Sequence, residues 1–292
     1  MFKLFIKEWL LPLWFYDILY YWIIGTILGR CGRTISQFEK KNSVLFVLAN
    51  GPSLKSDIEK YKDRFKESDL LVVNQFCQSE YFTVFKPRIY LLVDPKYFDE
   101  ESAVEDNWKP RIKAVKDVMR DIVNWDMYLV LPYVQRNSDV AKIAHQNKHI
   151  KVLFYNNRPS RSEADLMFLL SRNMIAPPSA SVVNVATYLG VYWRYGMTIL
   201  IGADTSSHCM MVVDQQTNEM FLEEEHFYGK VRRPFYLNNE GTIRATAADW
   251  LDMAARVFRG YQKVVKMAKY MGVQLFNASS NSWIDSIERY KG

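Results

Sequence analysis

The feature that most constrains the fold is an alternation of short apolar runs with amphipathic helical segments beyond residue 40. Most of the runs are almost entirely apolar, which is typical of parallel strands buried on both faces. They lie at 43–49, 69–74, 88–93, 127–131, 150–155, 197–202 and 272–276. Helices are predicted between them at 56–66, 103–124, 162–173, 180–195 and 245–271. The pattern predicts one α/β domain over 40–292 with a Rossmann-like, mainly parallel sheet flanked by helices.

Composition and charge narrow the class of partner. The chain has 292 residues, 49% of them hydrophobic, and only three cysteines, too few for a disulfide framework and typical of a reducing compartment. A net charge of +6 suits nucleotides, acidic lipid or nucleic acid. Nucleic acid is disfavoured, because the lysines and arginines are spread along the predicted helices without interleaved aromatic residues.

The N-terminal stretch at 9–28 is apolar and rich in Trp and Tyr, with Asp17 as its one charge. It is long enough to span a bilayer. Pro12, Asp17 and the aromatic density are more typical of the headgroup level, so we expect a membrane-associating helical segment over 1–35. The alternative is a soluble helix packed on the domain or on a second subunit of a homo-oligomer. No small-residue cleavage site follows, which disfavours a signal peptide.

Polar residues follow four of the predicted strands. Ligands of open parallel sheets bind beyond the carboxyl ends of the strands, so these positions predict a binding site. They are Asn50, Gly51, Pro52 and Ser53 after the first strand, Asn74 and Gln75 after the second, Asp94 after the third, and 203–208 after the strand at 197–202.

The Asn-Gly-Pro-Ser turn has two interpretations. Gly51 removes a Cβ where a ligand approaches the backbone, Pro52 suits the first turn of a helix, and Ser53 can cap that helix. The same four residues also make a good turn and cap without any ligand. The combination with the other strand ends favours a nucleotide site.

These motifs resemble those of the family-42 bacterial sialyltransferases, over about 43–283. A wider group that shares the Asn-Gly-Pro-Ser-Leu start includes archaeal pterin pyrophosphokinase-like proteins. The family's Asn-Gly-Pro-Ser-Leu-Lys and Asn-Gln-Phe stand here unchanged, its Asn-Pro is Asp94-Pro95, and its Gly-Ile-Asp is Gly202-Ala203-Asp204. The family's Ser-led helix matches 181–196, and its His-Tyr-Ile-Gly-His matches His-Phe-Tyr-Gly-Lys at 226–230.

The resemblance implies a GT-A-variant fold and a metal-independent, inverting transfer of sialic acid, Kdo or a related nonulosonic acid from a CMP-activated donor. The acceptor would be a cell-surface glycan or glycolipid, and the enzyme would sit peripherally on the cytoplasmic side of the bacterial inner membrane. Asp94 would accept hydrogen bonds from the ribose hydroxyls. The other nucleotide-binding residues would be Asn50, Gly51, Pro52, Ser53, Asn74, Gln75, Ser179, Ser181, Gly202 and Asp204.

The transfer needs a base that is neutral near pH 7, a role that suits histidine. The family's base is the second histidine of its motif, and Lys230 stands there in this chain. We therefore predict His226, which matches the first histidine, as the base, and His208 as the second choice. A histidine that only orients substrate or packs in the core is the open alternative.

The family's two phosphate-binding tyrosines are replaced by Ser206 and Val212. The stretch at 226–236 offers compensating hydrogen-bond donors and positive charge. They are Tyr228, Lys230, Arg232 and Arg233. We predict that 205–240 forms a mobile lid over the active site; the alternative is a solvated basic loop.

No metal or cofactor is predicted. The chain has no Asp-any-Asp pair, and the acidic run at 223–225 is more simply a hydrated charge run. Two rival functions remain: a magnesium-dependent, pyrophosphokinase-like nucleotide enzyme, although no Walker lysine motif is present, and a non-catalytic nucleotide-binding membrane scaffold.

Overall fold

The computed structural model describes residues 19–20, 23, 33–98, 108–157, 167–226, 229–238 and 241–292, and the elements named below are those within these ranges. The strands are β1 Val44–Leu48, β2 Asp69–Val73, β3 Ile89–Leu91, β4 Met127–Pro132, β5 Ile150–Tyr155, β6 Met197–Ile201, β7 Met211–Val213, β8 Met220–His226, β9 Gly229–Pro234, β10 Gln274–Asn277 and β11 Glu288–Arg289. The α-helices are α1 Leu54–Tyr61, α2 Glu80–Phe85, α3 Trp108–Asp117, α4 Asp139–Gln146, α5 Met167–Leu170, α6 Val182–Tyr192 and α7 Ala247–Met271.

Eight parallel strands form the main sheet, in the order β11-β10-β6-β1-β2-β3-β4-β5. The predicted α/β class is therefore confirmed. Strand β1 lies at the centre, with Leu48 paired to Val72 of β2 on one side and to Ile201 of β6 on the other. Because the strands are parallel, the residues that follow β1, β2, β3, β6 and β10 all emerge at one edge, which we call the carboxyl edge.

Two helical layers cover the sheet, and β1 shows how its residues divide between them. Leu45 and Val47 belong to a core with α5, α6 and α7 on one face, whereas Phe46 and Leu48 belong to a core with α1, α2, α3 and α4 on the other. All four side chains are fully buried. A strand buried on both faces must be apolar at every position, which explains the unbroken hydrophobic runs of the sequence.

The region predicted to be a mobile lid at 205–240 contains a small antiparallel sheet of β7, β8 and β9. Met220 and Leu222 are buried against Ala245, with Phe235 and Trp250 packed beside them. This sheet was not predicted, since the acidic end of β8 hides any alternation of apolar and polar residues. Movement of this sheet over the carboxyl edge stays a prediction.

Within the described part of the chain, no helix is long and apolar enough to cross a membrane. The predicted membrane-associating segment at 1–35 lies mostly outside the described residues. The chain becomes continuously described at Arg33, where a short 3-10 helix, Arg33–Gln37, packs beside the outer strand β5.

Candidate active site

The candidate site lies at the carboxyl edge between β1 and β6, where the strand order changes direction. After β1 the chain enters α1 on one face of the sheet, and after β6 it leads to β7–β9 and then to α7 on the other face. Connections that leave neighbouring strands toward opposite faces open a crevice between them, and this crevice is the usual ligand site of open α/β sheets.

Gly51 brings the loops after β1 and β6 into contact. Its amide donates a hydrogen bond to the Gly202 carbonyl at 2.8 Å. A Cβ at position 51 would lie 2.0 Å from Asp204 Oδ2 and 2.4 Å from the Gly202 oxygen, so no larger residue fits. From the sequence we predicted that the missing Cβ leaves space for a ligand. That explanation is wrong, because the Asp204 carboxylate occupies the space. Nucleotide contact by Gly51 itself stays a prediction.

Ser53 precedes α1, as predicted, but its side chain does not cap the helix. Its hydroxyl lies 2.8 Å from Asp204 Oδ2 and 3.0 Å from Asp57 Oδ2. A hydroxyl has one proton, so Ser53 can donate to only one carboxylate at a time. The predicted cap is therefore wrong, and Ser53 instead bridges two buried acids.

Asp57 ties three loops of the carboxyl edge together. This fully buried side chain accepts hydrogen bonds from the Gly202 amide at 2.9 Å and from the Ser280 amide at 2.9 Å, and also from the Ser280 hydroxyl. Sequence analysis missed Asp57, because an acid in the first turn of an amphipathic helix reads as a surface residue.

The loop after β10 is the other part of the site that the sequence analysis missed. Ser279 accepts a hydrogen bond from the Ala203 amide at 2.8 Å, and Ser282 donates to the Ala203 carbonyl at 2.6 Å. The signal was present, since a serine-rich stretch follows a predicted strand.

Asp204 is 2% exposed, and its carboxylate holds the loop after β6 to the loop after β1. Its Oδ2 accepts from the Ser53 amide at 3.2 Å and from the Ser53 hydroxyl, whereas its Oδ1 has no hydrogen-bond partner among the described residues. An unsatisfied buried acceptor costs about 1–3 kcal/mol, and such atoms are typical of sites that a water or ligand completes.

Besides Gly202, two non-glycine residues at the carboxyl edge have left-handed backbones. Asn74 after β2 has φ +43° and Thr205 after β6 has φ +54°, a conformation that a β-branched residue rarely adopts. Asn74 Oδ1 accepts from the Val93 amide at 3.3 Å, and Asn50 Nδ2 donates to the Val73 carbonyl at 3.0 Å. Backbone strain of this kind clusters at functional sites.

Asp94 is half-buried at the end of β3 and caps the turn Pro95–Tyr97 through a 3.1 Å bond from the Lys96 amide to Oδ1. Its Oδ2 makes no hydrogen bond with the described residues. Burial and the nearby charges of Cys77 and Asp94 raise the pKa of the Tyr97 hydroxyl, and Gln75 beside it opposes the rise. Asp94 therefore offers one carboxylate oxygen to a ligand.

The amino end of α6 also reaches this edge. Ser181 caps the helix by accepting from the Val183 amide at 3.2 Å, and Ser179 is exposed two residues earlier. The buried Tyr261 of α7 lies 3.3 Å from the Thr205 hydroxyl. Burial raises the Tyr261 pKa to about 12, while hydrogen bonds with Thr205 and Ser181 oppose the rise.

His208 is the histidine whose described side chain lies beside the β6 loop. Its ring meets Trp283 edge-on at 4.7 Å and Phe258 at 5.6 Å, with Nε2 3.4 Å from the Cys209 sulfur. The Trp283 amide donates to the Asp204 carbonyl at 2.9 Å. Trp283 therefore contacts both the His208 ring and the Asp204 backbone, and it connects the two residues.

The predicted base His226 lies at the outer end of the β8–β9 hairpin, where it pairs with Gly229. It stands four residues beyond the buried Leu222, about 13 Å along the strand. Lys230 pairs with Glu225 in the same hairpin. Tyr228 and the side chains of 224–231 lie outside the described part of the structure, so the roles predicted for His226, Lys230 and Tyr228 stay predictions.

The structure separates the two arginines predicted to stabilise phosphate. Arg232 and Arg233 are successive residues of β9, and successive strand side chains point to opposite faces. Arg232 is paired with Asp214 at 3.1 Å and lies 3.8 Å from Glu223. The two guanidinium groups cannot face one phosphate together unless β9 changes conformation.

No group of three or more His, Cys, Asp and Glu side chains suited to a metal ion occurs in the described ranges. This finding does not cover the side chains of 224–231 or the other undescribed stretches, so metal independence stays a prediction.

Comparison with known proteins adds a likeness of fold. No protein-family model matches the chain, and no curated protein matches it. The solved structure of the MAf glycosyltransferase from Magnetospirillum magneticum AMB-1 is similar over 87% of this chain, with 13% sequence identity and a TM-score of 0.48. The chain covers 34% of that protein, about a third of its length. At this identity and score the likeness carries no argument about activity.

Proposed function

We propose that this protein is a glycosyltransferase that moves a sugar from a CMP-activated donor to a glycan or glycolipid acceptor. The sugar is sialic acid, Kdo or a related nonulosonic acid, and the transfer is inverting and independent of metal and cofactor. The observation that carries the proposal is the row of polar strand ends along the crevice, Asn50, Asn74 and Asp94, with the Ser181 cap of α6 at the same carboxyl edge and the left-handed Thr205 after β6.

The nucleotide would lie across the ends of β1, β2 and β3. The Asn50 and Asn74 amides are held in place by bonds to Val73 and Val93, so they are positioned before any ligand arrives. The unbonded Asp94 Oδ2 would accept from ribose hydroxyls, as a carboxylate does. Positioned groups of this kind lower the entropic cost of binding.

The leaving phosphate would face the amino end of α6. Amide groups and the helix dipole favour an anion there, and Ser179 and Ser181 add hydroxyl donors. A histidine would take the acceptor's proton as the sugar is transferred, either His226 carried by the hairpin or His208 beside the β6 loop. Lys230 and Tyr228 of the hairpin would supply the remaining donors.

The proposal is tested by the thermal unfolding midpoint of the full chain with a nucleotide panel: CMP, UMP, AMP and ATP, each in EDTA and in excess magnesium. A ligand at a hundred times its dissociation constant stabilises by about 2.7 kcal/mol. For a chain of 292 residues that is a rise of about 4–5 °C. We expect CMP to give this rise in EDTA.

A rise with ATP and magnesium alone would favour the pyrophosphokinase-like alternative and contradict the proposal. A rise with CMP but no transfer of sugar from a CMP-sugar would favour the non-catalytic scaffold.

A further inference from the structure

Basic side chains gather at the edge of the sheet opposite the candidate active site. Lys40, Arg88 and Arg194 stand just before β1, β3 and β6, and Lys151 is the second residue of β5. We call these four residues the basic face. They are far apart in sequence, Lys40 and Arg194 by 154 residues, so the sequence shows them only as scattered charges.

Hydrogen bonds to backbone carbonyls hold three of these cations around 37–40, whereas the Arg194 guanidinium donates to the Met271 carbonyl at 3.4 Å. Lys40 donates to the Arg194 carbonyl at 2.7 Å, Lys151 to the Gln37 carbonyl at 3.4 Å, and Arg88 to the Glu39 carbonyl. An ammonium group has three donors, so each lysine keeps donors for a further acceptor.

Aromatic rings lie under the same side chains and fix their positions further. Lys40 lies 5.9 Å from the centre of the Tyr195 ring, and Lys151 lies 5.8 Å from that of Tyr128. Arg88 is 5.4 Å from Tyr128 and 5.6 Å from Phe38. Such cation–π contacts are each worth about 0.5–1 kcal/mol at exposed sites. The charges are thus presented by an ordered surface.

The basic face has little negative charge of its own. Among the described residues, no carboxylate forms an ion pair with any of its four members. Asp69 is the nearest buried acid, and it is engaged by the Tyr195 hydroxyl at 2.6 Å and the Lys41 amide at 3.0 Å. Exposed Glu39, Glu67 and Asp126 stand before β1, β2 and β4 at this edge, and they are balanced by exposed Lys41, Lys66 and Lys86, which stand before β1, β2 and β3. The face is therefore positive overall.

The aromatic N-terminal stretch precedes a segment that runs along β5 from Phe154, near the carboxyl end of the strand, toward Lys151 of the basic face. Its apolar run ends at residue 28, and from Arg33 the chain runs along β5, where the Thr34 hydroxyl bonds to the Phe154 carbonyl at 2.8 Å. The Trp193 indole donates to the Ile35 carbonyl at 2.8 Å, which fixes this segment to the end of α6. An aromatic, apolar stretch in the sequence and a basic surface on the same chain match the two components of an anionic lipid bilayer, its acyl interface and its charged headgroups.

We propose that the basic face docks on an anionic phospholipid surface. Strands β1, β2 and β6, which cross from this face to the active site, have five residues each, about 17 Å. Docking through the amino ends of the strands therefore turns the carboxyl edge away from the lipid. The inference does not depend on the proposed transferase activity, and loss of lipid binding would leave CMP binding unchanged.

The test is partitioning of the full chain onto vesicles of phosphatidylcholine alone and of phosphatidylcholine mixed with phosphatidylglycerol, at low and high salt. A basic residue near an anionic surface changes binding about five-fold, so three such residues change it about 100-fold. We expect Lys40→Gln/Lys151→Gln/Arg194→Gln to lose about this factor on the mixed vesicles at low salt. Binding to neutral vesicles, which reports the aromatic stretch, should not change.

The control removes the same charge elsewhere, with Lys60→Gln/Lys109→Gln/Lys142→Gln on α1, α3 and α4, and should keep the preference of the wild type for anionic vesicles. Equal thermal midpoints for both triple variants verify that neither is unfolded. If the first triple variant is less stable, Lys151→Gln alone takes its place, with an expected five-fold loss of binding to the mixed vesicles. Equal binding of wild type to both vesicles, or equal losses in both triple variants, would overturn the proposal. So would RNA binding that needs the basic face without any preference for anionic vesicles.

Discussion

Replacing Gly51 with alanine probes the contact on which the carboxyl edge is built. The new Cβ would lie 2.0 Å from Asp204 Oδ2 and 2.4 Å from the Gly202 carbonyl oxygen, so the loops after β1 and β6 must move apart. That movement breaks the 2.8 Å bond from Gly51 to Gly202 and the bonds of 3.2 and 2.8 Å from the Ser53 amide and hydroxyl to Asp204.

The size of the loss follows from those bonds. Hydrogen bonds to a charged group are worth about 1.5–3 kcal/mol each, so the two to the Asp204 carboxylate alone amount to about 3 kcal/mol or more. Overpacking adds about 1–3 kcal/mol where relaxation is incomplete. We expect Gly51→Ala to lower the free energy of unfolding by about 3–5 kcal/mol, a large part of the stability of an ordinary domain. Urea unfolding followed by circular dichroism measures this.

Gly196→Ala is the matched control. Gly196 precedes β6 at the opposite end of the strand, and its added Cβ would approach no atom closer than the Ser43 carbonyl oxygen at 3.4 Å. We expect a loss below about 1 kcal/mol there. If Gly51→Ala were as stable as Gly196→Ala, the tight contact between the two loops would not exist in the folded protein.

Three further predictions concern other parts of the chain. Thr246→Ala removes the side-chain cap at the start of α7 and should lower stability by about 1 kcal/mol, measured by the same urea titration, whereas Thr246→Ser should retain the cap. Burial raises the pKa of Cys77 to about 11, so at pH 8 only roughly one Cys77 thiol in a thousand is ionised. Mass spectrometry after iodoacetamide treatment should therefore show that exposed Cys209 is modified and Cys77 is not. Equal modification of the two thiols would contradict the burial of Cys77. In single-turnover assays His226→Ala should lower the transfer rate by about 10²- to 10⁴-fold and His208→Ala much less; the reverse order would assign the base to His208.

The main sheet was predictable because burial on both faces leaves a plain signature. Each of the seven apolar runs overlaps a strand, β1 to β6 and β10, and β4 and β10 extend one residue beyond their runs. The helices α2 and α4 were missed, since their six and eight residues are too few to establish a 3.6-residue period. The predicted helix at 162–173 is described only as Met167–Leu170; residues 158–166 lie outside the described ranges, and its predicted end at 171–173 is wrong, since these residues form a turn.

The site was predictable in outline only. The rule that ligands bind beyond strand ends brought Asn50, Asn74 and Asp94 together, since it needs only parallel strands. It could not supply the bond between Asp57 and Ser280, which are 223 residues apart, nor the packing that decides the role of Gly51. Contacts of that kind depend on loop geometry, which no local pattern in the sequence encodes.

A CMP site at the carboxyl edge is tested by calorimetric titration of CMP into the full chain in EDTA. We expect saturable binding at one site by the wild type. We also expect at least tenfold weaker binding by Asp94→Ala, because about 1.4 kcal/mol is the least that loss of a hydrogen bond to a charged group should cost. The control is Asp139→Ala, an exposed acid at the start of α4 that should bind as the wild type does. Equal affinity of Asp94→Ala and wild type, with both proteins folded, would contradict a CMP site at the carboxyl edge.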